Sequence, residues 1–181
     1  MVNTEEFNIE GITPSQTSES LFLTEDVNGL ISLSSALVQN ASRHVAIYSP
    51  ELDINLFANT AIVDACSAFA RSDRNATLRI LVNNSRPLLE ISHPLIRLQQ
   101  RLSDKIQLRC LPKDFDPENI HHLNRTFIVA DDVGLMVQHS PESWRGFVNF
   151  DEKPKAKEFE QHFSLLWRHS EAIIELQRLG L

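Results

Sequence analysis

The chain of 181 residues is 42% hydrophobic and 23% charged, an ordinary soluble composition with room for one domain and a sizeable core. Its formal net charge of −7, with acidic and basic residues intermixed, disfavours broad attraction to nucleic-acid phosphates or an anionic membrane. No apolar run approaches the ~20 residues of a bilayer span, and the acidic start MVNTEEFNIEG lacks the basic and apolar regions of a signal peptide, so a cytoplasmic chain with no membrane partner is expected.

Residues 1–20 are polar and unpatterned, which predicts a loosely ordered arm or a segment lying along another subunit, ahead of a single domain over 21–181. From Asp26 to Arg43, Val27, Leu30, Ile31, Leu37, Val38 and Ala41 recur at helical spacing, with Thr24 or Asp26 as N-cap. His44 to Ser49 reads as a short buried strand stopped by Pro50. Ile54, Phe57, Ala58, Ala61, Ile62, Ala65 and Phe69 then form one stripe of a long helix to about Arg71. Thr77 to Val82 predicts a central strand, Pro94 to Leu102 a helix, and Ile106 to Leu111 a strand with one wetter face. Cys66 and Cys110, each among apolar residues and without a C-x-x-C, are expected to be buried and reduced.

Arg125 to Ala130 is a further buried strand, bounded by Asp131 and Asp132. Gly134 opens a return strand, LMVQ, and a third run, GFVNF, follows the turn SPESW; all three are close enough to be antiparallel neighbours. The last long helix starts at Pro154 and carries Ala156, Phe159, Phe163, Leu166 and Trp167 on one stripe. Strands alternating with helices imply right-handed crossovers and an α/β fold: a mixed, mainly parallel β-sheet with helices on both faces.

The chemistry concentrates in IHHLNRTFIVAD, residues 120–131, where a His-rich loop runs into the strand ending on Asp131. Side chains alternate along a strand, so Asn124, Thr126, Ile128 and Ala130 share one face, and Arg125, Phe127 and Val129 the other. This stretch resembles the signature H-x-K-x4-D of the phospholipase D superfamily, with Asn124 at the His position, Thr126 at the Lys position and Asp131 at the Asp position. The order of elements from Asp26 to His169 is similar to one half-domain of that superfamily. The resemblance implies a histidine nucleophile and a charge-neutralising lysine, yet asparagine is not a comparable nucleophile and threonine carries no charge. Where the family places G-S-x-N after the signature strand, this chain reads Val137-Gln138-His139-Ser140-Pro141.

The chain therefore resembles a degenerate, single-motif bacterial member of the superfamily, from a group in which some domains are joined to acetyltransferases. What that resemblance implies is a non-catalytic module that binds a protein, an acetyltransferase among the partners, or a phosphorylated ligand. The alternatives are a hydrolase of altered mechanism using His122 or His139 with Asp131, and a nucleic-acid-binding module. The relic-site candidates are Asn124, Thr126, Asp131, His122 and His139, with Ser49 either lining a pocket or ending its strand. A half-domain whose signature strand has an uncovered edge also implies a homodimer, with these residues around one cleft. Asp131 could equally cap a turn. Trp144 and Arg145 on their turn could anchor a partner or fold over the sheet edge. His93 and His162 read as surface or boundary residues. His121 and His122, being adjacent, point apart in an extended chain, and pairing either with His139 follows no established metal-ligand spacing. Five isolated glycines leave no nucleotide-cradling loop, so neither cofactor nor metal is expected.

Overall fold

The computed structural model describes residues 19–115 and 125–178. One sheet of eight strands organises them, in the order β1-β7-β6-β5-β2-β3-β4-β8. The strands are β1 (Leu21–Thr24), β2 (His44–Tyr48), β3 (Thr77–Val82), β4 (Ile106–Cys110), β5 (Phe127–Ala130), β6 (Gly134–Ser140), β7 (Ser143–Asn149) and β8 (Glu171–Ala172). On one face lie α1 (Val27–Gln39), α2 (Ile54–Phe57), α3 (Thr60–Ser72), α4 (Arg86–Glu90) and α5 (Pro94–Arg101), with the short α7 (Ile174–Arg178) beside them. The other face is covered by α6 (Lys153–His169).

The α/β class and the mixed sheet agree with the sequence, but the parallel share is smaller than expected. Only β2 with β3 and β3 with β4 run parallel, joined through helices, while the other five pairings are antiparallel. The physical reason lies in the connections. Parallel neighbours need a crossover of a dozen or more residues, whereas β5, β6 and β7 follow one another through turns of two or three residues. A second correction concerns β5, which is hydrogen-bonded to β2 on one side and β6 on the other. The signature strand thus offers no open edge for a dimer; the outer strands are β1 and β8, neither of which hydrophobic patterning revealed.

Helix boundaries follow local chemistry. Asp26 caps α1 by accepting the Gly29 N–H at 2.7 Å, and the helix stops at Gln39, short of Arg43. The single helix expected to Arg71 is two: Asn59 leaves helical geometry and its side chain accepts the Ala61 N–H at 2.9 Å, which starts α3 afresh and leaves Ile54 exposed. Trp144 and Arg145 belong to β7 and not to a turn, and Trp144 is half-buried against the α1 face. Cys66 is buried and Cys110 half-buried, both as free thiols, and burial pushes the Cys66 thiol up to about 12.

The sheet has a separate core on each face. Leu30, Val38, Ile47, Ile62, Phe69 and Ile80 pack beneath α1 and α3, and Phe127, Val137 and Phe147 pack beneath Phe159 and Phe163 of α6. The ring of Phe127 meets that of Phe159 edge-on at 4.9 Å between centroids. Arg109 ties down the end of α6, donating to the Ser170 carbonyl at 2.8 Å while its guanidinium lies 5.3 Å from the centre of the Trp167 ring.

Backbone approach is tightest at Gly146, where a Cβ would run into the Val137 carbonyl oxygen and the Gln138 backbone of β6. At Gly134 a Cβ would instead meet a methyl group of Leu37, which can rotate away. Gly146→Ala is therefore expected to cost about 1–3 kcal/mol, and Gly134→Ala less, in urea unfolding. Equal, small losses at both positions would contradict this packing.

Candidate functional site

The two ends of β5 carry the candidate residues, and they are far apart. Antiparallel pairing sets Phe127 opposite Tyr48 and Ala130 opposite Val45, so Thr126 meets the exit of β2 while Asp131 meets its entry. Five residue steps along an extended strand separate the two by roughly 16 Å. A single cleft wall holding both Thr126 and Asp131 does not form.

At the first end, the Thr126 hydroxyl donates to the Ser49 hydroxyl at 3.1 Å, and the same Ser49 oxygen accepts the Leu52 N–H at 3.1 Å. Ser49 is 2% and Thr126 7% exposed. Ser49 thus ends its strand by holding the following turn. Leu52, fully buried, sits at φ 54°, a backbone region that bulky side chains rarely adopt. His93 backs this turn: its Nδ1 accepts the Leu95 N–H at 3.1 Å, capping α5, and its Nε2 faces the Leu52 backbone without a hydrogen bond of normal geometry. Burial, with Arg97 adding to it, pushes the His93 imidazole down to about 4 despite the Leu52 contact. The expectation of a surface or boundary histidine is therefore corrected at His93. Its place before Pro94, at the start of a helix, was the available signal. The Tyr48 hydroxyl donates to the Asn83 side-chain oxygen at 2.8 Å, and burial raises the phenol well above its usual value despite that bond.

At the second end, Asp131 is a latch. Its carboxylate accepts the backbone N–H groups of Ser42 at 2.6 Å, Arg43 at 2.8 Å and His44 at 2.9 Å, tying the β5–β6 turn to the loop that enters β2. Partial burial pushes the carboxyl up, but the three N–H donors and the nearby His44 outweigh burial, so its pKa falls below the ordinary value. Asp131 and Asp132 both take positive φ, 54° and 55°, and Asp132 meets His44 Nε2 at 3.0 Å. The reading of Asp131 as a cap for the turn before Gly134 is corrected: what its carboxylate caps is the loop before β2.

The remaining candidates divide. Asn124 and His122, with His121, lie outside the described residues. His139 is half-buried near the end of β6, where burial and then the guanidiniums of Arg145 and Arg125 push its imidazole down to about 4. The alternation read from sequence is observed: Ile128 and Ala130 face the α1 side, Phe127 and Val129 the α6 side. Thr126 and Arg125 continue these two rows, so His139 shares a face with Arg125 and not with Thr126.

A family described as Domain of unknown function (DUF7931) matches residues 26–179, most of the chain. The chain belongs to the DUF7931 family. Among solved structures, the DUF7931 domain is similar to Nuc from Salmonella typhimurium, a phospholipase D family member, at a TM-score of 0.59 and 14% identity, over 84% of this chain and 97% of Nuc. NucT from Helicobacter pylori matches at 0.56 and 12% identity, over 85% of this chain and 98% of its own. TrmBL2, an archaeal chromatin protein that binds DNA, matches at 0.57 and 15% identity over 88% of this chain, which spans 56% of that protein. No curated protein matches the chain. The DUF7931 domain thus has a phospholipase D-like fold, as its signature strand and element order suggested.

The latch has a measurable weight. Asp131→Asn keeps the shape but loses charge-assisted acceptance of three N–H groups, and should destabilise the domain by about 1–3 kcal/mol at neutral pH. Because the folded carboxyl is depressed, its stabilisation is present above the ordinary value of 3.8 and is lost as pH falls through the folded value. Urea midpoints of the two proteins should therefore differ at pH 7 and converge under acid. A gap that persists unchanged on acidification would contradict the latch.

Proposed function

We propose that the chain is a non-catalytic phospholipase D-like domain that works by binding a protein partner or a phosphorylated ligand. The observation that carries this reading is the fate of the signature residues. Thr126, at the lysine position, is buried and donates its hydrogen bond to Ser49, and Asp131 is committed to three backbone donors. Neither group is presented to a reacting phosphorus, and a hydroxyl cannot neutralise phosphoryl charge as an ammonium does. The phospholipase D family name of Nuc concerns that protein. The DNA binding of TrmBL2 likewise offers this chain only an alternative, which its net charge of −7 opposes.

In the same proposal the domain is cytoplasmic and associates with a second copy of itself or with another chain, for which an acetyltransferase is one candidate. Since β5 is paired on both sides, association uses surfaces other than the signature strand. No helix among the described residues is long and apolar enough to cross a membrane.

The purified chain should hydrolyse neither an activated aryl phosphodiester nor a short DNA strand above the buffer blank. A saturable rate abolished by His139→Ala or His122→Ala would overturn the non-catalytic reading in favour of a hydrolase of altered mechanism.

A further inference from the structure

The parallel strands β2 and β3 start side by side, with His44 opposite Thr77, and the turns that lead into them wall a cavity of about 550 Å³ at that end of the sheet. Ser42, Arg43, His44, Asp73, Asn75 and Thr77 line it. Both walls are fastened. The Asp131 latch holds the Ser42 and Arg43 N–H groups, and the Thr77 N–H donates to the Arg43 carbonyl at 3.0 Å. On the other side, one carboxylate oxygen of Asp73 accepts the Asn75 N–H at 2.7 Å, and Lys105 donates to the backbone carbonyls of Asp73 and Arg74.

The imidazole of His44 is engaged by Asp132 at 3.0 Å, so the charges left to the cavity are the Arg43 guanidinium and the Asp73 carboxylate. They share its lining yet lie too far apart to pair with each other. Among the described residues neither makes an ion pair, and the guanidinium makes no hydrogen bond. Arg43 and Asp73 are exposed and His44 is half-buried, so the cavity opens to solvent.

We propose that this cavity binds a small zwitterion of the free α-amino acid class. The planar N–H fork of Arg43 suits a carboxylate, and the second Asp73 oxygen suits an ammonium group. Charge decides between ligand classes here. A simple anion would meet Asp73 as well as Arg43, a simple cation the reverse, and an uncharged molecule would strip water from both groups without replacing their counter-charge. The Thr77 hydroxyl and the Asn75 amide add uncharged donors and acceptors for the rest of the ligand. The site lies at the opposite end of β2 from Ser49 and Thr126, and it does not depend on the loss of catalysis.

The test titrates the full chain at neutral pH and constant ionic strength, with NMR following the backbone amides of Ser42, Arg43, Asn75 and Thr77. L-serine and L-glutamine are the zwitterions, N-acetyl-L-serine keeps only the carboxylate, and ethanolamine keeps only the ammonium group. At least one of the two amino acids should shift these signals saturably, and each singly charged probe should bind about tenfold more weakly or less. Arg43→Ala and Asp73→Asn should each weaken amino-acid binding about tenfold; the asparagine retains an oxygen for the Asn75 N–H. Arg74→Ala removes a charge from the same turn but outside the lining, and should change binding by no more than about twofold. No saturable shift with either amino acid up to about 50 mM would overturn the site. N-acetyl-L-serine or ethanolamine binding as tightly as the amino acids would overturn the zwitterion assignment, and an equal loss in Arg74→Ala would reduce the site to general charge attraction.

Discussion

The pairing of β5 with β2 is the constraint on which the rest depends. With Phe127 opposite Tyr48 and Ala130 opposite Val45, every side chain of the signature strand is assigned a face and an end. Thr126 is delivered to Ser49, and Asp131 to the backbone of Ser42, Arg43 and His44. A slip of one residue would turn Phe127 and Val129 out of the α6 core and send Ile128 into it, so the apolar packing of both faces holds the register. The polar contacts at the strand ends then follow from the apolar ones.

At both ends of β5 this phospholipase D-like sheet carries structural contacts. A strand end that presented a nucleophile and a cation would need solvent access and counter-charges. A threonine donating to a serine hydroxyl needs neither, and both groups sit in the interior with their hydrogen bond made. Asp131 has a structural role here, because a carboxylate is well suited to accept three converging N–H groups. The strained Leu52 turn, with Ser49 and His93 on either side of it, belongs to the same end of the sheet and is fastened by the same serine oxygen.

Much of this was legible in the sequence. The alternation of Thr126, Phe127, Ile128 and Val129 gave the two faces of β5 correctly, and the stripe on α6 named Ala156, Phe159, Phe163 and Leu166 as its buried side. What escaped was decided by contacts distant in the chain. The direction of β5 is set by short turns downstream and by pairing with a strand some eighty residues earlier, so a helix-strand rhythm overstated the parallel share. Asn59 was hidden within an unbroken apolar stripe although its side chain restarts the helix. His93 looked polar and peripheral because nothing local to it announces the Leu52 turn that it backs. Alternation placed Arg125 on one face with Phe127 and Val129, but Arg145 was assigned to a turn and not to β7.

The central claim is that Thr126 is a structural part, held by its hydroxyl pair with Ser49. A double-mutant cycle with Ser49→Ala and Thr126→Val, read by urea unfolding, measures that pair directly. The account predicts that each single substitution destabilises the domain and that the two are coupled by about 0.5–1.5 kcal/mol, the double variant losing less than the sum. Neutral single substitutions with no coupling would contradict it.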